Sequence, residues 1–417
     1  MTAFDHLTRM RGTDRPSATP STFARTTVAG VALAGVAFTA ACGTEGGDEA
    51  QEEYVPARSL TMAFGGDVMF ESHLRPLAYD EDSLSELRST LGAADLSVVN
   101  METSLTEGGS PWPGKPFTFR APASALDAVA GAGVDAVTMA NNHAFDFGDA
   151  GAEDTFAAKD DSPIPVVGIG RDEDEAYAPA TLEANGVKVA VIGASQVYEE
   201  TLANRSADEN TGGIAASAPD ERLDRLVAEV KKAKKTHDVV VTMMHWGIEA
   251  AHCPGDPAID TSKALEKAGA DVIIGSHAHR VNGHGWLGNS YVHYGTGNFV
   301  YYLNRDTAGH TGVLTVTIDV PASDEEADGP LVSDAEWTPM LIGYDGIPRP
   351  AVEVASQDTA DQLTALTDGY RECTPASATR DGSAATSSTS ATSAATSSST
   401  SATTSSATSA TTTSSGR

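Results

Sequence analysis

Val272-Ile273-Ile274-Gly275-Ser276-His277-Ala278-His279 decides the fold: a short β-branched run suited to a buried strand stops abruptly in glycine, a hydroxyl and two imidazoles. The same arrangement recurs along the chain. Residues 60–64 run into Gly65-Gly66-Asp67, 96–99 into Asn100-Met101-Glu102, and 136–139 into Asn141-Asn142-His143. Residues 239–244 run into His245-Trp246-Gly247, and 291–294 into Gly295-Thr296-Gly297-Asn298. Further strands are predicted at 166–169, 187–192 and 313–318, and helices at 83–91, 123–132, 220–235 and 259–268. Alternation of strands with helical patterns argues for an α/β domain rather than an all-α or all-β one.

In open α/β sheets ligands bind beyond the carboxyl ends of the strands, so six such loops are expected to converge on one pocket. Asp67 and Glu102 offer anionic oxygens, Asn142 a neutral carbonyl, and His245, His277 and His279 imidazole nitrogens. That donor set suits one or two divalent ions such as Mn, Zn or Fe, and has too many imidazoles for calcium. In an extended loop His277 and His279 would project to one side, and Glu102 has two oxygens with which to bridge a pair of ions. No cysteine is among the donors, which argues against a structural zinc knot.

Of the 417 residues, 40% are hydrophobic, enough for a sizeable core, and the net charge is -31. So acidic a surface repels nucleic acid, which is excluded as a partner, although the acidity by itself also serves plain solubility. Four arginines, Arg9 to Arg25, precede an uncharged run over 26–41 that is too short to span a bilayer but suits a secretory signal. Thr39-Ala40-Ala41-Cys42-Gly43 resembles a bacterial lipobox, with Thr39 where a larger aliphatic is usual; cleavage as an ordinary signal peptide is the alternative. The expected organisation is a lipoprotein signal over 1–42, with Cys42 lipidated, and an acidic tether over 43–57. The main domain follows over 58–345, a C-terminal extension over 346–373, and a disordered Ser/Thr/Ala-rich tail over 374–417, either glycosylated or bare. Export would permit Cys253 and Cys373 to pair.

Gly66-Asp67-Val68-Met69, Asn100-Met101-Glu102-Thr103, Ala140 to Gly148, His245-Trp246-Gly247-Ile248-Glu249, Gly269 to His279 and Gly297-Asn298-Phe299 occur in an order that resembles the bacterial capsule biosynthesis CapA family. That family is linked with poly-γ-glutamate synthesis. The resemblance, over about residues 60–300, implies a calcineurin-like metallophosphoesterase α/β sandwich with metal-binding loops at the C-terminal ends of the strands. It implies Asp67 and His279 on a first ion, Glu102 bridging, and Asn142, His245 and His277 on a second. His143 would be the acid facing the substrate. Phosphoesterases carry Asp-x-His in the first motif, whereas Asp67 here is followed by Val68 and Met69, so the first ion loses that motif's imidazole and keeps only His279's; His73 lies too far along to be assumed a substitute.

Glu249 is expected either to carry a proton or to orient His245, and Asp146 to orient His143 or to cap the following helix. Trp246 and Phe299 are expected to pack beneath the loops. Two functions compete. One is a lipoprotein on the outer face of the bacterial membrane that helps capsule synthase membrane subunits make or export an anionic polymer. The other is a metal-dependent hydrolase of a phosphoester or an envelope polymer bond.

Overall fold

Along Arg58–Val68 the side chains of Leu60, Met62 and Phe64 enter one apolar cluster while Ala63 enters another, the two-residue period of a strand buried on both faces. Val187–Ser195, Val239–Trp246 and Val272–His277 divide in the same way. Val189, Val191, Val241, Met243, Val272 and Ile274 join Leu60, Met62 and Phe64, whereas Ala190, Ile192, Val240, Met244 and Ile273 face the other side. The shared cluster is therefore the seam between two sheets packed face to face. In this computed structural model residues 56–322 and 329–380 are described.

One sheet has the strand order Pro348–Pro350, Val332–Ile342, His310–Val320, Arg58–Val68, Leu96–Met101, Ala136–Thr138, Val166–Val167, with Asn298–Val300 also paired to Arg58–Val68. The other runs His284–Leu287, Ser290–His293, Val272–His277, Val239–Trp246, Val187–Ser195, Ala180–Ala184. The central strands of each are parallel, so their carboxyl ends gather at one rim. Helices Asp220–Ala233 and Asp256–Ala268 cover the outer face of the second sheet through Leu226, Val230 and Leu265, and Ala125–Gly131 covers the first through Leu126 and Val129. The expected α/β sandwich is what the chain forms.

Three expectations need correction. Residues 83–91 form short 3-10 turns, Ser85–Ser89 and Leu91–Ala93, rather than an α-helix. There the hydroxyls of Ser89 and Thr90 donate to the carbonyls of Glu86 and Leu87, offering those carbonyls local partners in place of an α-helical ladder. The boundary at 345 divides one fold, because Pro348–Pro350 extends the first sheet and the helix Gln357–Gly369 leads on to a Cys253–Cys373 disulfide. The described fold also continues past 373: Ser377 exchanges two backbone hydrogen bonds with Trp286, of 2.8 and 2.9 Å. The signal segment, Cys42, the tether before Pro56 and the tail beyond 380 lie outside the described residues. Among the described residues no helix is long and apolar enough to cross a membrane.

Candidate metal centre

Strand register builds the pocket. Asp67 pairs with Asn100 on one side and Asn298 on the other, and His245 pairs with Ser276, so each donor stands beside a polar neighbour on an adjacent strand. Asn100 Nδ2 donates to Asp67 Oδ1 at 2.8 Å, and His245 Nδ1 lies 2.9 Å from Ser276 Oγ. The ladder is irregular between Phe64 and Asp67, where a Cβ on Gly66 would overlap the Gly297 carbonyl oxygen. That close approach lets Asp67 N donate to Gly297 O at 3.0 Å and turns the carboxylate toward the second sheet. Across the seam, the His277 backbone N–H donates to Asp67 Oδ2 at 3.3 Å.

Asp67, Glu102, Asn142, His143, His245 and His277 are all buried, and His279 nearly so. One ligand atom from each of Glu102, His245 and His277 falls within a 4.8 Å group, and so does one from each of Asp67, Glu102 and His279. Glu102 belongs to both. Asn142 Oδ1 lies 2.8 Å from His245 Nε2 and joins the first group, its amide orientation set by Nδ2 donating to Glu199 Oε2 at 3.0 Å. His277 and His279 are not extended: both have left-handed backbone, φ 85° and 52°. A curled loop, rather than strand alternation, brings both rings inward, and such strain in non-glycine residues persists only where surroundings hold it.

The donors fit a cation. Both carboxylate oxygens of Glu102 are buried without a hydrogen bond, as is Nδ1 of His277. His245 Nε2, 3.4 Å from Glu102 Oε1, does not satisfy that oxygen in hydrogen-bond geometry. Leaving a buried carboxylate unsatisfied costs several kcal/mol unless an ion or a proton answers it. Burial, followed by the charge of Asp67, accordingly pushes the Glu102 carboxyl well above its usual range. Burial lowers His277 to about 3 and takes His245 well down, so both rings are neutral, and Nδ1 of His277 has no hydrogen-bond partner. Burial would lower His279 too, but Glu102 and Asp67 hold it up at about 9. The imidazolium of His279 thus offsets part of the negative charge of Asp67 and Glu102.

Beside the pocket, His143 Nδ1 lies 2.7 Å from Asp146 Oδ2, and Asp146 also takes Lys115 Nζ at 2.7 Å and the Phe119 N–H at 2.7 Å. Asp146 therefore orients His143; the helix Gly148–Asp160 has no side-chain cap. Phe119 stacks on the His143 ring with centroids 4.1 Å apart. Burial lowers the His143 pKa against the pull of Asp146, so at neutral pH the ring is neutral, with Nδ1–H donated to Asp146 and Nε2 an acceptor. Acting as an acid then requires an arriving anion to raise its basicity.

Glu249 does not orient His245, a place taken by Ser276; it is exposed and groups instead with His277 and His279. His73 bonds the Tyr344 carbonyl, and Met69 is buried in the apolar core, so neither supplies the absent imidazole. Trp246 and Phe299 are buried beneath the loops.

Asn100, Ser276 and Asn298 take their roles from strand register, although each is a polar residue at the end of an apolar strand. Asn298 Oδ1 lies 2.9 Å from His279 Nδ1. Lys115, in a turn-rich stretch without periodicity, gave no signal, yet it is buried against Asp146 and the Asn142 carbonyl.

Fold and site together define an α/β sandwich with a candidate metal centre at the carboxyl rim of its parallel strands. The chain matches the bacterial capsule synthesis protein PGA_cap family over residues 61–302 and belongs to it. It is 26% identical to the PGA biosynthesis protein CapA of Bacillus subtilis over 247 residues, 58% of this chain and 63% of that protein. With the capsule biosynthesis protein CapA of Bacillus anthracis it shares 28% over 248 residues, 58% of this chain and 60% of the relative. The match thus spans about three fifths of the length of these curated relatives. A putative 5'-nucleotidase of Staphylococcus aureus is a distant structural neighbour, with 18% identity and a TM-score of 0.42 over 73% of this chain and 58% of that one.

Proposed function

We propose that this protein serves the synthesis or export of an anionic capsule polymer such as poly-γ-glutamate, held at the outer face of the membrane by a lipid on Cys42. Capsule synthase membrane subunits are its partners in this reading. Family membership supports the polymer role. The observation that carries the metal part is Glu102, whose two buried oxygens accept no hydrogen bond although three imidazoles face them. Asp67, Glu102 and His279 would hold one divalent ion, and Glu102, Asn142, His245 and His277 a second. Such an ion supplies Lewis acidity toward a substrate oxygen and offsets the mutual repulsion of two polyanions.

A second reading, hydrolysis of a phosphoester or polymer bond, is favoured by the His143–Asp146 pair. A site that only bound polymer would not need a ring fixed on a buried carboxylate with its other nitrogen free to exchange a proton. In that reading Asp146 and Lys115 hold the ring, Phe119 limits water beside it, and Nε2 receives or returns the proton at the leaving oxygen.

Deleting the gene and quantifying cell-surface polymer tests the main proposal. Polymer should fall and return with the wild-type copy but not with Glu102→Gln; undiminished polymer in the deletion strain refutes the role. Assays of a generic phosphodiester and a γ-glutamyl polymer, with and without Mn, test the second, and no turnover with metal bound removes it. Detergent partitioning of Cys42→Ala against wild type decides the anchor.

A further inference from the structure

Glu102 is buried at the centre of the donor groups, and beside them stands an exposed carboxylate, Glu249. Glu249 follows His245-Trp246-Gly247-Ile248 on the loop leaving its strand, and one ligand atom from each of Glu249, His277 and His279 falls within 4.8 Å. The same two imidazoles border Glu102, His277 in the group with His245 and His279 in the group with Asp67. Two carboxylates, one buried and one exposed, therefore flank one pair of rings.

The loop is built to keep Glu249 there. Trp246 is buried and donates from Nε1 to Tyr294 O at 2.9 Å. The next anchor is Ala250, which adopts φ 61° and donates its N–H at 2.8 Å to the carbonyl of Ala278, the residue between the two imidazoles. A second observation points to a ligand: Nδ1 of His277, a residue only 4% exposed, has no hydrogen-bond partner. The donor count agrees, since Glu102, Asn142, His245 and His277 make four donors, whereas Asp67, Glu102 and His279 make three, and first-row ions take at least four.

We infer that Glu249 is a metal ligand that, standing beside His279, completes the three-donor set of Asp67, Glu102 and His279 around one divalent cation. Because Glu249 is exposed, this ion exchanges more readily than the one held by Glu102, Asn142, His245 and His277. The inference rests on the metal reading above, and its test separates the two.

Manganese is titrated into the chelator-treated protein and free Mn is followed by electron paramagnetic resonance, for wild type, Glu249→Gln and Glu249→Asp. Wild type should take up a tight and a weaker equivalent. Glu249→Gln should weaken the second by roughly tenfold or more while keeping the first, and Glu249→Asp should recover part of the loss. Unchanged thermal unfolding in chelator shows that each variant is folded. Uptake by Glu249→Gln indistinguishable from wild type overturns the assignment of Glu249 and leaves the metal centre standing. Absence of any uptake by wild type overturns both.

Discussion

Replacing Glu102 by Gln should reverse the stability order of the protein depending on metal. Without an ion, Glu102 Oε2 lies 3.8 Å from His279 Nδ1, an attraction of about 4 kcal/mol at an effective dielectric near 20. Burial and the nearby Asp67 charge oppose it, and the raised pKa of Glu102 shows that they win. Gln keeps the volume and removes the charge, so the metal-free variant should gain about 1–3 kcal/mol, roughly 2–10 °C in Tm for a domain of this size.

The pH dependence has a definite sign. A carboxyl whose folded pKa is raised contributes stability below its unfolded pKa and loses it as pH rises through the folded one. The advantage of the variant in chelator should therefore widen on going from pH 5 to pH 8. With Mn at 100 times its Kd, wild type gains about 2.7 kcal/mol, while the variant, lacking the carboxylate common to both groups, gains little. Differential scanning fluorimetry with and without Mn should show the two Tm values crossing. If Glu102→Gln melts below wild type in chelator, or responds equally to Mn, the reading of Glu102 as an ion-seeking carboxylate is refuted.

Three further perturbations follow from the same geometry. Asp146→Asn strands the buried Lys115 ammonium and should cost about 3–5 kcal/mol by chemical denaturation; adding Lys115→Met should recover much of it, and additive losses would show that the pair is not coupled. Metal uptake requires a neutral His279, which without metal is held at about 9, so affinity for Mn should rise between pH 6 and pH 9 with proton release that calorimetry in two buffers detects; pH-independent uptake would remove His279 from the ligands. Gly66→Ala forces Cβ into the Gly297 carbonyl and should lower both stability, by about 1–3 kcal/mol, and Mn affinity, read from one titration and one melt. A variant with full affinity would mean that this close approach does not aim Asp67.

The strands that carry the centre were legible because each is a β-branched run broken by polar residues of a kind that apolar strands exclude. Those in the core survive with extended ends: 272–274 becomes Val272–His277, and 239–244 becomes Val239–Trp246. Ala180–Ala184, His284–Leu287 and Val332–Ile342 were missed because each has partly exposed positions and a mixed composition. Asp67, Glu102, Asn142, His245, His277 and His279 were legible as candidate donors from their types together with their places at the ends of apolar strands. Their supports were not: Lys115 lies 31 residues from Asp146, and Glu199 lies 57 from Asn142, with no pattern linking them.

By itself the sequence determined the alternation of strand and helix, the chemical character of the donors and the kinship of the chain, because side-chain periodicity and residue type are local properties. Tertiary structure decided which donors share Glu102, that His277 and His279 converge through left-handed backbone rather than an extended strand, and that Ser276 rather than Glu249 holds His245. Those outcomes depend on strand register and on the packing of one sheet against another, which join residues far apart in the chain.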